Sequence, residues 1–197
     1  MVAPATADAV PMSRRPTTLF VATGLVVAAG IMLVAGLVGI NLALRNEVAS
    51  PGANWVPRGV EIPNAELGYA VFTAVISSIT VQWAVWASRH RERGHTLVAV
   101  GVTLVLGVAW INLFFFSFDF MELAIGSSSW ANLAYTLTGV AVAIGMVAIA
   151  FLALMAVRTL GGEDGDEGTA PIAAAAFFWH FSVAALIALW YVIFVVK

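Results

Sequence analysis

Cysteine is absent from the 197 residues. That excludes disulfides, thiolate metal sites, iron–sulfur ligation and c-type haem attachment. Charge is nearly as scarce. Only 10% of residues are charged, less than half of the roughly 25% usual for soluble domains. With 61% of its residues hydrophobic, the chain cannot cover its apolar surface with water-facing side chains, so lipid must be the solvent for most of it. A net charge of −2 offers no basic surface to a nucleic acid.

Acids are missing from the membrane-depth stretches as well. Asp8, Glu47, Glu61, Glu66, Glu92, Asp119, Glu122, Glu163, Asp164, Asp166 and Glu167 all fall in tails, loops or helix ends. Proton relays and ion pathways usually need intramembrane acids or bases, so a pump, antiporter or proton channel working through this chain alone is disfavoured. Three histidines exist. His90 and His95 lie in the basic turn "SRHRERGH", which leaves His180 alone at membrane depth. Haem or copper held inside the membrane would need at least two converging histidines. No Gly-rich phosphate loop and no nucleophile beside a base is present. The acidic segment "GGEDGDEGTAP" lacks the ligand spacing of an EF-hand and reads as a solvated linker.

What the sequence does have is long apolar runs. A membrane-crossing helix needs about 20 mostly apolar residues in a row. Five stretches qualify, at about 17–44, 68–88, 96–118, 131–157 and 172–196. They are apolar all round, which rules out the alternating pattern of barrel strands. The expected fold is all-α, a polytopic membrane bundle of five helices over residues 17–197, preceded by a tail at 1–16. The first run follows Arg14 and Arg15 but is nearly twice as long as a secretory core of about 7–15 residues, so it reads as a retained helix. Arg14, Arg15, Arg89, Arg91, Arg93 and Arg158 fall on one side, against Arg45, Arg58 and Lys197 on the other. The side richer in Arg and Lys is cytoplasmic, so an N-in/C-out orientation follows and the tail is cytoplasmic. Pro171 suits the first turn of the last helix, where its missing N–H costs nothing.

The polar groups at membrane depth are Ser77, Ser78, Thr80, Gln82, Asn112, Thr136, Thr138 and His180. They read as hydrogen-bonding links between helices. Small residues recur four apart at Gly24/Ala28, Ala35/Gly39, Gly139/Ala143 and Ala141/Gly145, which lets backbones approach closely. Such a chain is equipped to pack and has no evident catalytic site.

The last run, "FFWHFSVAALIALWYVIF", resembles the final helix of the heme-copper oxidase (cytochrome c oxidase) subunit III family, with Trp179, His180 and Phe181 matching its Trp–His–Phe element. Other segments line up in the same order. "VAGLVGINLALRNEVASPGANWVP" resembles the first long helix and following loop, with Asn54, Trp55 and Pro57 as an Asn-Trp-Pro-like element. "ITVQWAVWASRHRERG" resembles the next helix and its basic turn, and "YTLTG" the start of the penultimate span. Five spans match the short bacterial form.

Where the family carries buried polar groups, this chain has Gly30, Ile111 or Asn112, Ala141, Ile144 and Val183, so it resembles a divergent relative. The resemblance implies a non-catalytic accessory subunit in the bacterial plasma membrane. It implies no cofactor in this chain, haem and copper in partner subunits I and II, and phospholipid held in a cleft between two helices and the other three. Trp179, His180, Phe181, Gln82 and Asn112 are the structural or interface candidates; Trp83, Trp86 and Trp110 are the lipid-contact candidates. The alternatives are a structural subunit of another membrane enzyme, such as a nitric oxide reductase, or a small transporter.

Overall fold

The computed structural model of the chain describes residues 18–48, 54–161 and 170–196. The N-terminal tail and the acidic segment read as a linker lie outside the described residues. Five helices are long and apolar enough to cross a membrane. They are α1 (Thr18–Val48), α2 (Asn64–Arg89), α3 (Arg93–Phe120), α4 (Ser129–Leu160) and α5 (Ala170–Trp190). A π-helical turn, Tyr191–Val195, continues α5. No strand occurs among the described residues. The chain is a multi-pass membrane protein of the all-α class.

The helices overrun the apolar stretches by a few residues because a helix need not stop where hydrocarbon does. Ser128 caps α4, its hydroxyl accepting from the amide of Ala131 at 3.0 Å. Pro171 sits in the first turn of α5, as its missing N–H allows. The tight turn between α2 and α3 places Arg91 at φ 59°.

Four helices form the core. α2 packs on α3, α3 on α4, α4 on α5 and α5 on α2. α1 lies outside this bundle, chiefly against α5. The expected division into two helices and three is therefore replaced by four and one. Successive helices of the bundle run antiparallel, and α1 runs parallel to α5, as the Phe20–Phe177 stack and the Gly30–Phe181 approach require.

Missing side chains set the close approaches. A Cβ at Gly145 would overlap the ring of Trp110, and one at Gly30 would overlap the ring of Phe181. Of the four small-residue pairs, only Ala141/Gly145 faces inward. Gly24, Gly39 and Gly139 have nothing near the place a Cβ would occupy. A small pair permits a close approach, but the large partner, here Trp110, decides which pair is used.

Candidate functional site

Polar side chains inside a bilayer must find partners within the protein, because hydrocarbon supplies none. Most do so within their own helix. Thr23, Thr73, Thr103, Ser117, Thr136 and Thr159 each donate to the carbonyl four residues back. Such bonds spend the hydroxyl locally and leave little for chemistry.

Among the described residues three links join side chain to side chain between helices, and the indole Nε1 of Trp130 on α4 also donates to the carbonyl of Ile193 in the π turn at 3.4 Å. The indole Nε1 of Trp179 donates to Ser77 Oγ at 2.9 Å, joining α5 to α2. Ser77 in turn donates to the carbonyl of Ala74. Thr80 and Thr103 join α2 to α3, their hydroxyl oxygens 2.8 Å apart. The third link is His180 Nε2 with Gln82 Oε1 at 3.4 Å, again joining α5 to α2. In the tautomer that carries its proton on Nε2, His180 donates to the Gln82 carbonyl oxygen.

The first two links are enclosed and the third is not. Trp179 is 1% exposed, and Ser77 and Thr103 are fully buried. His180 is only half-buried and Gln82 is exposed. The pair opens on a groove of about 620 Å³ walled by Val75, Ser78, Ile79, Gln82, Trp83 and Trp86 of α2, with His180 of α5 beside them. Gln82 lies seven residues from the end of α2, about 10 Å along the axis. His180 lies ten residues into α5, about 15 Å. Both therefore stand at hydrocarbon depth.

At its basic end the groove meets the turn between α2 and α3. The Trp86 ring stacks on His90 with centroids 4.2 Å apart, and Trp83 lies 6.4 Å from His95. His90 Nδ1 contacts the carbonyl of Trp86 at 2.8 Å, and His95 Nδ1 contacts Glu92 at 2.9 Å. The two turn histidines are thus held locally and do not converge with His180. No group of three or more His, Asp or Glu side chains placed to hold a metal ion occurs among the described residues.

The remaining expected residues divide. Trp83 and Trp86 are 38% and 50% exposed on the outer face of α2, where lipid would meet them. Trp110 departs from the lipid-contact expectation. It is 1% exposed, turned into the core between Gly145 and Phe114, because Gly145 leaves a ring-sized gap on α4. Phe181 packs on Phe178 and against Gly30, where α1 docks. Asn112 is exposed on α3, away from the groove.

Among the polar residues that sequence reading missed, two stand out. Thr103 was legible as a hydroxyl in mid-span, but its pairing with Thr80 depends on the register of α2 against α3. Asn41 is fully buried near the far end of α1, and neither amide atom has a partner among the described residues. It lies inside the first apolar stretch, four residues before Arg45, and was not singled out among the polar groups there.

No protein-family model matches the chain, and a search of curated proteins finds no match.

Proposed function

We propose that the chain is a non-catalytic accessory subunit of a heme-copper terminal oxidase, of the subunit III type, in a bacterial plasma membrane. Its N-terminus is cytoplasmic and its C-terminus is outside. Haem and copper belong to partner subunits I and II, and this chain supports their assembly and stability. The Trp179–His180–Phe181 element and the order of the matching segments support the family. The observation that carries the packing role is the His180–Gln82 pair, which stands at hydrocarbon depth and opens outward. A neutral imidazole and a primary amide offer more donors and acceptors than one 3.4 Å contact uses, and lipid tails can meet none of the rest. A partner helix can.

The family role also includes phospholipid, and Trp83 and Trp86 beside the groove suit an acyl chain at its edge. Purification of the tagged full-length chain in mild detergent, with identification of what accompanies it, tests this reading. Oxidase subunits I and II in fixed proportion, with their haem, are the expected result. Co-purification with the subunits of another membrane enzyme, without an oxidase, would overturn it.

A further inference from the structure

The outward face of α3 belongs to none of the contacts described so far. α3 packs on α2 and α4, on the side of the bundle away from α1. Val98, Gly101, Val105, Val108, Asn112 and Phe115 follow one another at alternating spacings of three and four, and all six are exposed. That spacing draws one straight stripe along the helix. A Cβ at Gly101 would meet nothing, so another backbone has room to come close there.

Asn112 breaks the apolar character of the stripe. It lies about 12 Å from the Phe120 end of α3 and about 28 Å from the Arg93 end, well inside the hydrocarbon. Its amide has no partner among the described residues. A primary amide exposed to lipid tails forgoes every hydrogen bond that water would have supplied. Something polar must reach it at that depth.

We propose that the occupant is a second copy of this chain, docked α3 against α3, with the two Asn112 side chains bonded to each other. A carboxamide carries both an acceptor oxygen and a donor NH2 group, so it is its own complement. All copies insert with the same orientation, which makes two α3 helices parallel and places residue 112 at equal depth in both. A two-fold axis along the membrane normal then brings the two amides together in register, as a closed dimer. An unrelated helix would have to bring a polar group to this depth; a second copy always does. Val98, Val105 and Asn112 occupy equivalent places seven residues apart. In parallel two-stranded packing, β-branched residues at such places favour dimers, and a single Asn among them fixes the register. This inference does not rest on the oxidase assignment, because the α2–α5 groove stays free in the dimer.

The absence of cysteine makes the test direct. The full-length chain carrying Val108→Cys, in native membranes and exposed to a mild oxidant, should give a disulfide-linked product of twice its 20.7 kDa mass. Ile79→Cys, equally outward on α2 but off the stripe, should give little. Adding Asn112→Val to Val108→Cys should lower the product roughly three- to tenfold, the range for interhelical polar contacts in a membrane. Adding Asn112→Gln should lower it less, since the amide is kept. Valine at an exposed membrane position leaves the fold intact, which helical circular dichroism of the purified variant checks. The proposal is overturned if Val108→Cys gives no dimer, joins a protein of different mass, forms product no better than Ile79→Cys, or is indifferent to Asn112→Val.

Discussion

α1 and α5 look alike as sequence. Both are long, apolar and rich in Ala, and both would serve as a membrane anchor. Packed, they are opposites. In the most apolar stretch of α5, 67% of residues are buried inside the protein, against 17% in α1. α5 touches α1, α2 and α4, while α1 leans on α5 and otherwise faces the bilayer. Lipid tails are as apolar as leucine, so apolarity sends a helix into the membrane without saying what it will touch. Shape and a few polar atoms decide that. α5 carries two large rings, Phe178 and Trp179, turned into the bundle, whereas α1 meets α5 through the Phe20–Phe177 stack and through the gap that Gly30 leaves for Phe181.

Trp179→Ala attacks the centre of that difference and carries the largest expected effect. The ring fills the space over Gly107, and its N–H holds Ser77. Truncation of a buried tryptophan costs about 3–5 kcal/mol. Loss of helical signal on titration with a denaturing detergent should come markedly earlier than in the parent chain. An unchanged midpoint would mean that α5 is not the centre of the bundle.

Two glycine substitutions sharpen the comparison, because a Cβ clashes with an aromatic ring at both sites. At Gly145 the ring is Trp110, enclosed on α3 and 1% exposed. Overpacking there should cost about 1–3 kcal/mol. At Gly30 the ring is Phe181, and α1 has only lipid behind it, so the helix can shift outward and relieve the clash. Gly145→Val should therefore destabilise the chain clearly more than Gly30→Val, read as the same detergent midpoint. Equal losses would show that α1 is held as firmly as the inner helices.

The sequence disclosed the five spans because apolar length is a local property. It marked His180 as a residue in need of a hydrogen-bond partner because a polar atom in an apolar run needs one wherever it points. It could not disclose which way each face turns. Trp83, Trp86 and Trp110 read alike, yet Trp110 turns inward because Gly145, far away in the chain, leaves room for it. Gly24 and Gly145 each stand four residues from an alanine, and only one meets a neighbour. Asn41 falls beyond the polar inventory, and the end of an apolar run does not reveal whether its last turn is wet or buried. Each of these depends on the register between helices, which is a tertiary fact.

Thr103→Val tests a smaller, purely interior link. Valine nearly matches threonine in shape but removes the hydroxyl that meets Thr80. Thr80 keeps an alternative, since its hydroxyl also lies 2.9 Å from the carbonyl of Ser77. The loss should be about 0.6 kcal/mol, the average for such bonds in a membrane bundle. Paired denaturation curves of the two chains measure it, and a loss as large as that of Gly145→Val would mean that the hydroxyl pair organises the α2–α3 contact.

The smallest effect on the isolated chain is expected at His180, although it is the more unusual residue of the Trp179–His180 pair. Its contact with Gln82 is long, and both side chains face the groove, so His180→Ala leaves an exposed amide that detergent-solvated water can reach. The midpoint should move by less than for Thr103→Val. In the oxidase complex proposed above the expectation reverses. A partner helix that covers the pair would leave Gln82 buried without its bond, a penalty of about 1–3 kcal/mol, felt as weaker retention of the partner subunits. On that reading the imidazole only links helices, so complexes that still assemble should turn over nearly normally per haem. The measurement is subunit content and turnover per haem of the His180→Ala complex. Normal assembly with turnover reduced by about tenfold, the equivalent of some 1.4 kcal/mol in a barrier, would put His180 in the chemistry instead of the packing.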